Sequence, residues 1–123
     1  MSNKQIKGYI IEEIQFNEDL EYNENILYLE LNMFKAFSNI YDILKQLQNK
    51  GYNIDEIMKE LISFYHIAKS KGPLRARRMY KKLYDMLNEI KDSLCDVETK
   101  EQLDRSIHEI SATLGSLITI LIG

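Results

Sequence analysis

Seven basic side chains lie within residues 69–82, and this run contains no acidic residue. Arginine binds carboxylates and phosphates through paired hydrogen bonds, so the run predicts a contact with an anionic partner. The rest of the chain carries nine basic and nineteen acidic side chains, which gives a local positive potential on a protein of net charge −3. The candidate binding residues are Lys71, Arg75, Arg77, Arg78, Lys81, Lys82 and Tyr84.

The basic run leaves three interpretations open. It could bind an acidic protein, or it could hold nucleic-acid phosphates without reading sequence, with Tyr80 and Tyr84 stacking on unpaired bases. It could also be an ordinary solvated helix face. The turn at Gly72 and Pro73 has the outline of a helix-turn-helix, but no recognition pattern follows it.

His108 is the second candidate for chemistry, because Asp104 precedes it by one helical turn. A carboxylate on the same helix face would raise the proton affinity of the imidazole. One Asp–His pair lacks the further ligands of a zinc or di-iron centre, so we predict neither a metal nor another cofactor. The other histidine, His66, fits the boundary of a core face.

The segment around His108 resembles the phospho-acceptor segment of dimeric histidine kinases over about ten residues. That resemblance implies phosphotransfer by a helical bundle. Ala112 and Thr113 stand where the family has a polar residue and a proline, and no ATP-binding domain follows. The residues that carry the resemblance are His108, Glu109, Ile110, Leu114 and Leu117.

Enzymatic activity is not expected, because the chain has no glycine-rich phosphate loop, no nucleophile elbow and no clustered carboxylate pair at metal-ligand spacing. The single cysteine, Cys95, excludes an intramolecular disulfide and a cysteine-based metal cluster. No secretory signal is evident, and the longest apolar run, near residues 117–122, is far shorter than the ~20 residues of a membrane span. We therefore expect a cytoplasmic protein that does not enter a membrane.

Hydrophobic periodicity predicts four helices that would position these residues. The first begins at an N-cap on Asn23, after a loop over residues 17–23, and ends at Gly51. The second begins near Asn53 and turns Ile54, Ile57, Met58, Leu61, Ile62 and Tyr65 inward. The third covers residues 73–94, with Pro73 in its first turn. The fourth follows a capping box of Thr99 and Gln102.

The expected fold is all-α, an antiparallel four-helix bundle with a short N-terminal segment that is helical or extended. We expect one domain over residues 1–123, divided into the N-terminal segment (1–22) and the bundle (23–123). Ile6, Ile10 and Ile14 repeat every four residues in that segment, as on one face of a helix.

The last helix has small residues opposite its bulky face and no charge from Ile110 onward. Together with the wide apolar arc of the first helix, this pattern favours a homodimer. The predicted self-association residues are Ala112, Gly115, Ser116 and Thr119. The leading functional hypothesis is a small non-enzymatic interaction protein (an adaptor, inhibitor or assembly subunit). The alternative is a nucleic-acid-binding protein, and a histidine phosphotransfer bundle is third.

Overall fold

The structure, a computed structural model, describes residues 17–122 and the side chains of residues 24–121. This part of the chain forms α1 (Asn17–Asn49), α2 (Asp55–Lys71), α3 (Pro73–Asp92) and α4 (Val97–Ile122), with no strand. The predicted all-α bundle is confirmed. None of these described helices is both long enough and apolar enough to cross a bilayer. The predicted isoleucine stripe at positions 6, 10 and 14 lies outside the described residues.

Neighbouring helices run antiparallel, because the connections between them contain only five, one and four residues. The fourth side of the bundle is closed by α1 and α4. Lys50, at the end of α1, lies near enough to Asp96, at the start of α4, to help lower the pKa of that carboxyl. The C-terminus of α1 therefore meets the N-terminus of α4, and these two helices are antiparallel as well.

A single hydrophobic core occupies the centre of the bundle, and every helix contributes to it. Complete burial of one large apolar side chain stabilises a fold by about 1.5–3 kcal/mol, so these residues dominate its stability. The largest fully buried side chains are Met33, Ile40, Leu44, Leu61, Phe64, Leu83, Leu87, Leu103, Ile107, Ile110 and Leu117.

The buried face of α2 is rotated from the predicted one. Phe64, which we did not assign to the core, is 1% exposed, whereas Ile62 is 39% exposed. Phe64 packs towards α3, with its ring centroid 5.5 Å from that of Tyr80. Tyr65 packs towards α1, where it stacks on Phe37 at 4.6 Å. Because α2 has a neighbour on each side, its buried arc is centred between them, and Ile62 falls outside it.

The first helix begins earlier than expected. The predicted loop over residues 17–23 and the predicted cap at Asn23 are wrong, because α1 already begins at Asn17. The stretch contains no glycine or proline to interrupt a helix. Its acidic residues, Glu18, Asp19 and Glu21, fall in the first turns, where the positive end of the helix dipole favours negative charge.

The turns at Gly51 and Gly72 are the ones that the sequence predicts. Gly51 has a φ of +99°, and the amide of Tyr52 donates to the carbonyl of Leu47 at 3.0 Å, which closes α1 with a Schellman motif. Gly72, with a φ of +93°, reverses the chain between α2 and α3. Pro73 then occupies the first position of α3, where its missing N–H costs nothing.

The start of α4 differs from the prediction. The capping box of Thr99 and Gln102 is wrong, because α4 begins at Val97 and Thr99 lies inside its first turn. Asp96 is the cap instead. Its carboxylate accepts a hydrogen bond from the Thr99 amide at 3.2 Å and another from the Thr99 hydroxyl. These two bonds hold the pKa of Asp96 below its ordinary value.

Candidate anion-binding surface

The basic run forms the exposed side of the first three turns of α3. Ala76, Tyr80 and Leu83 turn towards the core, and this fixes the rotation of α3 about its axis. Arg75, Arg77 and Arg78 consequently lie in solvent. We call these three residues the arginine surface.

The arginine surface is not neutralised by the rest of the described protein. Arg75, Arg77 and Arg78 form no ion pair with any described residue, although the protein as a whole is acidic. A charged side chain held in solvent without a partner remains available to an external anion. Within the described part of the chain, the three guanidinium groups therefore present positive charge that no carboxylate offsets by an ion pair.

The two neighbouring lysines are different, because both are already paired. The Lys81 ammonium lies 2.8 Å from the Asp85 carboxylate on the same helix, a spacing of four residues that the sequence already allows. The Lys82 ammonium lies 3.6 Å from the Glu60 carboxylate of α2. The set of predicted contact residues thus divides into unpaired arginines and lysines that have internal partners. The sequence spacing gave no indication that Glu60 would pair with Lys82.

Lys71 and Tyr84 extend the surface in opposite directions. Lys71 ends α2, is exposed, and has no ion-pair partner among the described residues. Tyr84 is 41% exposed, with its ring centroid 5.7 Å from that of Tyr80. An aromatic ring at this position can still stack on a flat ligand.

Tyr80 cannot take part in base stacking, so that part of the nucleic-acid interpretation is wrong. It is 9% exposed, and its hydroxyl donates to the carbonyl of Ile107 at 3.1 Å. The hydroxyl of Ser111 lies 2.8 Å from the same phenolic oxygen. Burial raises the pKa of Tyr80 to about 12, against the lowering effect of the Ser111 hydrogen bond.

The backbone at the start of α3 adds to the positive potential. Gly72, the cap, provides no side-chain acceptor, and no acidic residue lies in the first turn. The positive end of the helix dipole therefore coincides with Arg75. Each basic charge at such a position costs about 0.3–1 kcal/mol, which a bound anion would offset.

His108 lies on α4, away from the arginine surface, and the predicted pairing with Asp104 is present. The imidazole Nδ1 lies 2.9 Å from the backbone oxygen of Asp104 and 3.5 Å from its carboxylate. A carbonyl oxygen only accepts hydrogen bonds, so Nδ1 is the donor in this contact, and in the neutral imidazole Nε2 carries the lone pair. The side chain is 76% exposed, so Nε2 is accessible.

Asp104 has a second partner that the sequence did not indicate. The Lys91 ammonium, on α3, lies 2.6 Å from the Asp104 carboxylate and is itself only 17% exposed. Its hydrogen bond is the main reason that the pKa of Asp104 lies below the ordinary value. The two residues are thirteen positions apart on different helices, so no helical spacing relates them. The described residues contain no cluster of three or more side chains suited to a metal ion.

An open groove of about 560 Å³ runs between α1 and α4. Lys35 and Asp42 line it from α1, and Arg105 and Glu109 line it from α4, so its charges balance. The small side chains of Ala36 and Ser106 are also part of its lining. We did not predict this groove, and its balanced charges indicate no particular ligand.

All four predicted self-association residues lie on the exposed face of α4. They are Ala112, Gly115, Ser116 and Thr119. A Cβ added to Gly115 would meet no atom within 4 Å, so no described part of the chain covers this position. The face is therefore accessible to another molecule.

No protein family, no curated protein and no solved structure matches this chain.

Proposed function

We propose that this chain is a small, cytoplasmic, non-enzymatic interaction protein that binds an acidic partner protein through the arginine surface. The observation that carries the proposal is the contrast within α3. Its exposed lysines Lys81 and Lys82 have acidic partners, whereas Arg75, Arg77 and Arg78 have none among the described residues. An adaptor, an inhibitor or an assembly subunit would all use such a surface.

The small size of the surface favours a protein partner over a nucleic acid. Arginine pairs in a bidentate manner with carboxylates, and a short acidic segment can occupy three guanidinium groups. High-affinity nucleic-acid binding uses about six to ten phosphate contacts, spread along a longer track. With Lys81 and Lys82 engaged internally, the arginine surface, Lys71 and Lys69 have no ion pair with any described residue, and the Lys69 ammonium already lies 5.5 Å from the centre of the Tyr65 ring.

The direct test is binding to a glutamate-rich peptide, measured by fluorescence anisotropy. We expect the triple variant Arg75→Gln, Arg77→Gln, Arg78→Gln to bind at least tenfold more weakly, since each charge-assisted hydrogen bond contributes about 1.5–3 kcal/mol. The matched control is Lys81→Gln, whose charge is already paired, and we expect it to bind like the wild type. Affinity purification with the wild type and the triple variant would then identify the cellular partner. If a folded triple variant retains that partner, the proposal is wrong.

Nucleic-acid binding is the second candidate, and the exposed ring of Tyr84 beside the basic run supports it. If this surface neutralises three or four phosphates, the logarithm of the association constant for single-stranded RNA should fall linearly with the logarithm of the salt concentration, at a slope of about −2 to −3. Tyr84→Ala would remove about 1–3 kcal/mol if the ring stacks on a base. No binding to mixed oligonucleotides at low salt would exclude this candidate.

Histidine phosphotransfer is the third candidate, and the accessible Nε2 of His108 supports it. Nε2 would attack the phosphorus of an acyl-phosphate donor and release the carboxylate. Incubation with acetyl phosphate should then give an acid-labile phosphate that His108→Gln lacks. Absence of that product in the wild type would exclude this role.

Self-association through α4 is part of the main proposal. The exposed small residues Ala112, Gly115 and Ser116 allow close approach of a second helix. Gly115→Leu would block that approach, and light scattering after size exclusion should show a dimer converted to a monomer. A wild type that remains monomeric at high concentration would rule out the dimer.

A further inference from the structure

We propose that residues 4–14 of this chain dock on the exposed apolar surface of α1 formed by Leu27, Tyr28 and Leu31, with a lysine of that segment beside Glu30. The surface and the carboxylate belong to the described structure. The occupant is the segment that immediately precedes it. This contact is independent of the arginine surface and of the function proposed for it.

The unequal lengths of α1 and α2 account for the exposure of Leu27, the first residue of this surface. Phe34 packs edge-on against Tyr65, and α2 ends only six residues later, at Lys71. Because the two helices are antiparallel, the end of α2 lies level with the residue six positions before Phe34 on α1, which is Tyr28. The eleven residues of α1 before Tyr28 therefore extend beyond the end of α2.

Large apolar side chains lie in solvent at this point. Leu27, Tyr28 and Leu31 are 48%, 66% and 59% exposed, and no described element covers them. Together they form a patch on one short stretch of helix, which is more apolar surface than isolated exposed residues provide.

Glu30 lies at one edge of this surface, three residues after Leu27 on the same helix. Its carboxyl is half-buried and forms no ion pair with any described residue. Burial raises the pKa of Glu30 above its ordinary value, because removing the carboxylate from water destabilises its charged form. A nearby ammonium group would provide that compensation.

Residues 4–14 have the matching chemistry. Ile6, Ile10 and Ile14 repeat at the spacing of one helix face. Lys4 and Lys7 flank the first of them, and they are the only basic residues before Lys35. The segment therefore offers apolar side chains to Leu27 and Leu31 and an ammonium group to Glu30.

The length of the segment is sufficient. Leu27 lies ten residues into α1, about 15 Å from its start at 1.5 Å per residue. Ile6 precedes Asn17 by eleven residues, which span up to about 36 Å when extended and about 16 Å as a helix. The extended span is more than twice the distance to Leu27, which leaves enough residues for a turn before Asn17 and for Ile6 to lie level with Leu27.

Disulfide trapping in the full chain tests this contact. In a Cys95→Ser background, cysteine pairs are introduced as Ile6→Cys or Ile10→Cys with Leu27→Cys or Leu31→Cys. The matched control is Ile6→Cys with Glu101→Cys, because Glu101 is exposed near the start of α4, at the opposite end of the bundle. We expect at least one test pair to oxidise within a monomer at least tenfold faster than the control, with loss of two hydrogens by mass spectrometry.

The other outcomes would overturn the proposal. If no test pair oxidises faster than the control, the segment does not occupy this surface. If the test pairs give mainly disulfide-linked dimers on non-reducing gels, a second copy occupies it instead. Glu30→Lys should slow trapping, and Lys4→Glu with Lys7→Glu should restore it. An unchanged rate in Glu30→Lys would overturn the pairing of a lysine with this carboxylate.

Discussion

The phenolic hydroxyl of Tyr80 donates a hydrogen bond to the backbone carbonyl of Ile107, with 3.1 Å between the two oxygens. This contact connects α3 to α4, and the hydroxyl of Ser111, also on α4, lies 2.8 Å from the same phenolic oxygen. It also fixes the rotation of α3, because Tyr80 and Ala76 lie on the same buried face of that helix. The arginine surface is turned to solvent as a consequence, so a core contact determines the position of the candidate binding residues.

Removal of the Tyr80 hydroxyl should therefore destabilise the bundle. We expect Tyr80→Phe to lower the free energy of unfolding by about 1–2 kcal/mol, because the hydroxyl makes hydrogen bonds with both Ile107 and Ser111. Tyr84→Phe is the matched control and should change stability by less than about 0.5 kcal/mol, because that ring is partly in solvent. Urea denaturation measures both values. Equal stabilities for the two variants would contradict a structural role for the Tyr80 hydroxyl.

Tyr80 should also make the protein sensitive to alkaline pH. Its pKa is about 12 in the fold against 10 for an ordinary tyrosine, so between these values the unfolded chain loses a proton that the native state retains. The stabilisation that Tyr80 provides is therefore fully present below pH 10 and is lost as the pH rises through about 12. Midway between these two values, the free energy of unfolding has fallen by about 1 kcal/mol. Comparing wild type with Tyr80→Phe across this range isolates the effect. A constant stability difference between them would contradict it.

The ion pair of Lys91 and Asp104 predicts the opposite pH dependence. The pKa of Asp104 is lowered in the fold, so its contribution is present above the unfolded pKa and is lost as the pH falls through the folded one. We expect Asp104→Asn to cost about 1 kcal/mol at neutral pH, because Lys91 is mostly buried and loses its partner.

The exposed pair of Lys81 and Asp85 provides the control for that experiment. Asp85→Asn should have almost no effect on stability, since both of its charges lie in solvent. Thermal unfolding from neutral pH downwards should show the cost of Asp104→Asn shrinking as the pH falls towards the lowered pKa of Asp104, whereas Asp85→Asn stays close to the wild type. A cost for Asp104→Asn that is the same at both ends of this range would contradict the assignment.

Two glycines should respond in opposite ways to alanine. Gly51 has a φ of +99°, so Gly51→Ala should destabilise the protein by about 1–2 kcal/mol through backbone strain alone, because its added Cβ meets no atom within 4 Å. Gly115 lies inside α4 with open space around it, so Gly115→Ala should stabilise the monomer by about 0.5–1 kcal/mol. Urea denaturation at low protein concentration distinguishes the two effects, and changes of the same sign would refute this account.

The arginine surface should lower the stability of the unbound protein. Arg75 lies in the first turn of α3, against the helix dipole, so Arg75→Gln should raise the free energy of unfolding by about 0.3–1 kcal/mol. Arg78→Gln, one turn later, should have a smaller effect, because the dipole acts mainly on the first turn. Low-salt thermal unfolding is the measurement, and a loss of stability in Arg75→Gln would show that Arg75 has a structural partner.

Several features of this protein follow from its sequence alone, because their causes are local. The number of helices follows from hydrophobic periodicity, and the turns follow from Gly51, Gly72 and Pro73, whose backbone preferences hold in any fold. The pairing of His108 with Asp104 is local too, since four residues make one helical turn. The basic run itself is visible without any structure.

The tertiary structure alone decided which of these residues are buried and which charges are paired. Ile62 and Phe64, two positions apart, are both strongly hydrophobic, and only the placement of α1 and α3 around α2 selects Phe64 for the core. Likewise, Lys82 meets Glu60 because α2 and α3 lie side by side, not because of sequence spacing. The unpaired state of the arginines is therefore a property of the packed bundle, since it depends on where every acidic side chain of the other helices lies.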